Sequence, residues 1–111
     1  MLPEHRAAAR VQFATRARIW NRDQEHDESA AVETLTANLS VSGVLVERRA
    51  GLAEQSQLTI ELYPDRDPTP IRCHAQPVRR TPTHLALKFT DLREADQTRL
   101  EVIIDRHQSH G

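Results

Sequence analysis

Two short groups of residues hold most of the recognition chemistry available to this chain. The first is Arg6-Ala7-Ala8-Ala9-Arg10, two guanidinium groups separated by three small residues. The second is Asn38-Leu39-Ser40-Val41-Ser42-Gly43, which fits the pattern [DN]xSxxG. A guanidinium is planar and always charged. Its fork of donors pairs bidentately with a phosphate or with the O6 and N7 edge of guanine, and its face stacks on a purine. Three alanine-sized neighbours do not block the approach of a ligand to Arg6 and Arg10. Asn38 and Ser40 offer side-chain oxygens that accept hydrogen bonds. Gly43 permits a tight turn or a close backbone approach. Each group also has a purely local reading. The arginines fit a solvated arm or one face of a helical turn, and Asn38 and Ser40 fit an Asx-type turn closed on neighbouring amides.

The two patterns differ in information content. With 14 arginines in the 111 residues, chance alone supplies about one or two RxxxR matches. A second match, Arg18-Ile19-Trp20-Asn21-Arg22, does occur. Nine Asp or Asn, five Ser and three Gly make a chance [DN]xSxxG match about a one-in-a-hundred event, and it occurs once. Order and setting then matter more than either pattern alone.

The setting is a succession of short strands. Val11, Phe13, Thr15, Ala17 and Ile19 alternate with Gln12, Arg16 and Arg18, which predicts a half-buried strand from Val11 to Trp20. A polar, acidic connection from Asn21 to Ser29 follows. Further strands are predicted at about Ala31–Ala37 and Val41–Arg48, on either side of the Asn38–Gly43 turn, then at Leu58–Leu62, Ile71–Arg80 and Leu85–Phe89. The proline-rich stretch from Pro64 to Pro70 is turn chemistry, and Pro77 marks an edge or bulge. Asp91, with Glu94 three residues on, fits an N-cap and capping box. Leu92, Leu100, Ile103 and Ile104 then recur at helical spacing, predicting one helix from about Leu92 to His107. Six strands followed by a helix argue for a small antiparallel barrel with an appended helix.

In this order and setting the two motifs resemble those of the PilZ domain family. Leu85-Ala86-Leu87-Lys88-Phe89-Thr90-Asp91-Leu92 is similar to that family's last strand running into its helix, so the likeness covers nearly the whole chain. The resemblance implies a mainly β fold: a six-stranded antiparallel β-barrel with a C-terminal α-helix and a flexible N-terminal arm. It implies a single domain over 1–111, with the arm at 1–10, the barrel at 11–90 and the helix at 91–107. It further implies that the ligand is cyclic di-GMP, held by Arg6, Arg10, Asn38, Ser40 and Gly43, with His5 and Arg79 as additional candidates. Arg79 and Arg80 end a strand and read equally well as a solvated strand end. Two departures stand out. Asn38 replaces the commoner Asp of the family pattern, removing a strong anionic acceptor. His5 stands where an Arg in the family accompanies binding of an intercalated pair of nucleotides, which leaves one or two nucleotides open. The expected role is a second-messenger receptor that relays the nucleotide to an effector protein as the arm orders. The alternative is an adaptor of the same fold that binds no nucleotide and works through protein contacts.

Composition narrows the field. The chain is 38% apolar and 28% charged, with a mean hydropathy of −0.63, and no apolar run approaches the roughly 20 residues that span a bilayer. No membrane insertion is expected, and the first residues lack the apolar stretch of a secretory signal, so a cytoplasmic site is expected. Cys73 is the only cysteine and lacks a partner for a disulfide or a CxxC site. The six histidines show no HxH or HExxH spacing, and adjacent Cys73 and His74 point to opposite faces of a strand. No catalytic residues, metal site or cofactor are expected. A net charge of −1 and four aromatic side chains (Phe13, Trp20, Tyr63 and Phe89) argue against a DNA or RNA partner.

Overall fold

Alternation of apolar and polar residues builds strands close to where the sequence places them. The computed structural model describes residues 10–52 and 57–109. Its elements are β1 (Val11–Gln12), β2 (Arg16–Asn21), β3 (Val32–Leu39), β4 (Gly43–Glu47), β5 (Leu58–Leu62), β6 (Ile71–Arg80), β7 (His84–Phe89) and α1 (Glu94–Ser109). All pairings are antiparallel. The strands follow one another in the order β3-β2-β5-β6-β7-β4, and β4 pairs back onto β3, which closes a six-stranded barrel. The short β1 continues the line of β2 along the other half of β3, pairing Val11 with Leu39 and Gln12 with Asn38.

The expected strand from Val11 to Trp20 is therefore one strand with a break at residues 13–15. Thr15 O accepts from the Thr36 amide at 2.9 Å, and the Thr15 amide donates to Thr36 Oγ1 at 2.9 Å. Thr36 Oγ1 in turn donates to Phe13 O, and Thr15 Oγ1 donates to Tyr63 O at 2.5 Å. Threonine hydroxyls thus satisfy backbone groups that a regular ladder would have paired. The partner strand shifts register at the same place, between Thr36 and Asn38.

Inward residues such as Ile19, Leu39, Val46, Ile60, Ile71 and Leu85 are fully buried. The helix α1 packs onto the barrel core through Leu100 and Ile104. Two further contacts fix the helix. Phe13 meets His107 edge-on, with ring centroids 4.4 Å apart. Arg99 grips Asp65 with both arms of its fork, at 2.6 and 3.1 Å, tying α1 to the proline-rich connection. The helix begins at Glu94, two residues later than expected, and Asp91 does not cap it. The Asp91 carboxylate instead accepts from the backbone amide of His74 at 2.7 Å and lies 2.6 Å from His74 Nδ1.

The β2–β3 connection, expected as an irregular loop, folds into two 3-10 turns, Arg22–Gln24 and Glu28–Ala30, and forms an outer layer. Trp20 falls on the outward phase of β2 yet is fully buried. Its Nε1 donates to Asp27 O at 3.0 Å, and the guanidinium carbons of Arg18 and Arg72 stand 4.9 and 4.7 Å from its ring centroid. Each is a cation–π contact. The outward residues of β5 are buried as well. Thr59 Oγ1 donates to Glu25 Oε1 at 2.5 Å, and Glu61 accepts from Tyr63 Oη at 2.6 Å and from Arg72 Nη1 at 2.7 Å. All five residues of β5 are consequently buried, where alternation alone predicts a half-buried strand.

His74 lies between two carboxylates, with Nε2 3.0 Å from Glu25 Oε1 and Nδ1 facing Asp91. Hydrogen bonds from Thr59 and His74 hold the Glu25 carboxyl below its ordinary range. At Asp91 partial burial opposes ionisation, but the amide and ring of His74 outweigh it and lower the pKa. The Arg99 fork lowers that of Asp65. Cys73, buried behind this face, has its thiol pushed up to about 12 by burial and then by the nearby charges of Asp91 and Asp96.

These three depressed carboxyls stabilise the fold fully above their unfolded values near 4, and that contribution is lost as pH falls through their lower folded values. The thermal midpoint is therefore expected to hold from neutral pH to about 5 and to drop as pH falls below about 4. Asp65→Asn should flatten that acid dependence in a calorimetric pH series. Cys73 should remain unlabelled by a thiol reagent at pH 8 in the folded protein and react on denaturation.

Candidate ligand-binding site

The turn between β3 and β4 is built by its serine. Ser40, itself buried, closes the hairpin with its amide donating to Gly43 O at 3.0 Å. Its Oγ accepts from the Gly43 amide at 3.1 Å and from the Ser42 amide at 3.2 Å. The Ser42 hydroxyl lies 3.2 Å from the same oxygen. The local reading of Ser40 therefore holds: its hydroxyl is engaged with the turn. Asn38, two residues earlier on β3, is half-buried and pairs with Leu45 of β4.

Gly43 answers a packing demand rather than a turn angle; among the described residues only Gly51 has a positive φ. A Cβ on Gly43 would stand 2.3 Å from the carbonyl oxygen of Leu87 and 3.3 Å from its carbon. That is backbone on the neighbouring strand, where Gly43 pairs with Lys88. Here the absent side chain lets β4 and β7 run side by side at the seam that closes the barrel.

Outside this seam lies a cleft of about 230 Å³. Its walls include Asn38, Ser40, Ser42 and Gly43 from the turn, Arg10 just before β1, Ala86 and Lys88 on the outward phase of β7, and Val78 from β6. Four of the five principal sequence candidates are thus accounted for: Arg10, Asn38, Ser40 and Gly43 come together. Arg6 and His5 lie outside the described residues. Arg79 is exposed near the end of β6 but does not line the cleft; its neighbour Val78 does, across a register shift between Pro77 and Arg79.

Lys88 and Val78 are among the lining residues that sequence reasoning missed. Lys88 sits on the outward phase of a strand that the alternation had identified. Its partner across the ladder, Gly43, follows only from the register. Val78 needs the Pro77 bulge to reach the cleft. Among the described residues no carboxylate lines this cleft. Among the described residues, the side chains of Arg10 and Lys88 make no ion pair, whereas Arg16, Arg18, Arg49, Arg72, Arg93 and Arg99 all have carboxylate partners. Two uncompensated cations beside hydrogen-bonding groups make a site suited to an anion. Among the described residues no cluster of three His, Cys, Asp or Glu is placed to hold a metal ion. No helix there is long and apolar enough to cross a membrane.

A closed six-stranded barrel with one helix packed against it, and a cleft lined by Arg10 and Lys88 outside the β3–β4 turn, defines a small β-barrel domain. The PilZ domain family profile matches residues 4–106, and the chain belongs to that family. Among solved structures, the inhibitor of motility MotI/DgrA of Bacillus subtilis is similar over 97% of this chain, at 21% identity and a TM-score of 0.76. The chain spans only 53% of that protein's length. The PilZ domain of YcgR from Escherichia coli, solved with c-di-GMP, is similar over 96% of this chain and 94% of its own, at 15% identity and a TM-score of 0.67. A longer YcgR structure, also in complex with c-di-GMP, aligns over 96% of this chain and 47% of its own, at 17% identity and a TM-score of 0.71. At these identities the likeness speaks for the fold. A search of curated proteins finds no match.

Gly43→Ala should destabilise the protein by about 1–3 kcal/mol, the usual range for forcing atoms into a packed contact, read as a lowered thermal midpoint. Ser40→Ala leaves the amides of Ser42 and Gly43 without their acceptor and should cost about 1–3 kcal/mol. Lost ligand binding in Ser40→Ala would accordingly report the turn as much as any direct contact.

Proposed function

We propose that this domain binds cyclic di-GMP in the cleft outside the β3–β4 turn and serves as a receptor for it, the nucleotide acting as signal and not as substrate. The observation that carries the reading is the pair of cations, Arg10 and Lys88, that among the described residues have no ion-pair partner and share a cleft with no described carboxylate, beside the [DN]xSxxG turn. A cyclic dinucleotide supplies the matching chemistry: two phosphates for the cations, and guanine edges for Arg10 and for the oxygen of Asn38. Membership in a family with c-di-GMP-bound representatives among its folds supports the same ligand.

The cleft of about 230 Å³ is smaller than the roughly 300–1,000 Å³ of sites that enclose drug-sized ligands. A dinucleotide needs more wall than the described residues provide. In this reading Arg6, and His5 beside it, complete the site by folding over the bound nucleotide. That ordering of residues 1–10 creates or hides a surface for an effector protein, an order–disorder switch. The whole chain acts as one domain, barrel and helix together, in the cytoplasm, where such a second messenger is made available.

Calorimetric titration with cyclic di-GMP should give saturable binding that Arg10→Ala abolishes or weakens strongly, and its stoichiometry separates one nucleotide from an intercalated pair. At 100 times its dissociation constant the ligand should stabilise the fold by ~2.7 kcal/mol. No heat and no thermal shift would overturn the reading in favour of an adaptor that binds no nucleotide. Amide exchange of residues 5–10 should slow on binding; unchanged exchange with confirmed binding would sink the ordering step alone.

A further inference from the structure

We infer that Lys88 is a phosphate anchor of this site, a specificity-determining residue on the barrel wall outside both sequence motifs. The inference rests on the cyclic di-GMP reading and extends it. Fourteen of the fifteen cationic residues are Arg, and the single Lys of the chain stands in the cleft. Its surroundings suit a ligand contact. Lys88 is exposed, and its side chain has no hydrogen bond or ion pair among the described residues. Across one ladder it faces Gly43, which has no side chain, and two residues back on the same face lies Ala86. Across the other ladder is the uncharged Gln76. The aliphatic stem can therefore lie along the cleft floor without steric or ionic competition.

The chemistry chooses phosphate over base. An ammonium is a compact point charge with three donors on a flexible stem, and it lacks the planar fork that reads guanine O6 and N7 together. Arg10 has that fork. The division of labour is then Arg10 on a guanine edge or a phosphate fork, and Lys88 on a non-ester phosphate oxygen close to the seam. The same seam that excludes a Cβ at Gly43 keeps this part of the cleft low, so the phosphate can come near the barrel backbone.

The test compares the full chain with Lys88→Ala, Lys88→Arg and Lys88→Glu, titrated with cyclic di-GMP at several salt concentrations. Lys88→Ala should weaken binding about tenfold or more, as expected for loss of one charge-assisted hydrogen bond. Lys88→Glu should weaken it further, and Lys88→Arg should restore most of the affinity. The loss must shrink as salt rises, because screening weakens a charge–charge contact in the parent protein and not in Lys88→Ala. The thermal midpoints of the unliganded variants should match the parent, which separates binding from folding. If Lys88→Ala binds as tightly as the parent, or if its loss is the same at every salt concentration, the phosphate role falls while the receptor reading stands. If the parent itself does not bind, both fall.

Discussion

The structure turns on the seam where β4 meets β7. A barrel of six short strands has no free edges only if its last pairing can form, and here that pairing brings the Leu87 carbonyl within 2.3 Å of where a Cβ on Gly43 would be. Glycine removes the obstacle. The closed ring then carries the core inside it, gives α1 a surface to pack onto, and sets Lys88 opposite Gly43 on the outside. The residue that allows closure also hollows the wall on which the cleft lies. Fold and site share one requirement, so the glycine at the end of the [DN]xSxxG pattern does not need a ligand to explain it.

The opposite side of the barrel follows a different logic. There the β2–β3 connection lies over β2, β5 and β6, and polar residues join in a connected set: Arg18 with Glu28, Arg72 with Glu61, Thr59 and His74 with Glu25, and His74 with Asp91. Buried polar groups demand partners, and Glu25 and Glu28 of the connection supply some of them. Arg18 has its pKa raised by Glu28 first and by Tyr63 next, which marks it as a committed ion-pair partner. The arginines of this face are engaged with protein groups. Arg10 and Lys88, which make no ion pair among the described residues, line the cleft on the other side.

The alternation of side chains made the ring legible in the sequence, because burial on one face imposes a period of two. Val44, Val46, Leu85, Leu87 and Phe89 all fall on the inward phase it predicts. Alternation could not show a second burial from outside, so Trp20, Thr59 and Glu61 read as surface residues although a polar connection covers them. It also could not show the break at Phe13–Thr15, which depends on two threonine hydroxyls from distant parts of the chain. Asp91 illustrates a competition that local rules miss. Its capping geometry was available, but a tertiary partner, His74, took the carboxylate. At the site, Arg10, Asn38, Ser40 and Gly43 were legible as motif residues. Lys88 and Val78 were not, since their membership depends on the β4–β7 register and on a bulge.

The placement of Trp20 gives the molecule an unplanned optical property. It is the chain's only tryptophan, and it sits on β2, three strands around the ring from β7 in either direction. Flanked by two guanidinium groups and held by the Asp27 carbonyl, its indole reports on the packing of the outer layer. The cleft lies on the far wall, beyond the direct reach of quenching by a nucleotide there. Intrinsic emission thus reads the integrity of one face of the barrel while remaining blind to direct contact at the other, so any change in it on ligand addition would be a signal that has crossed the core.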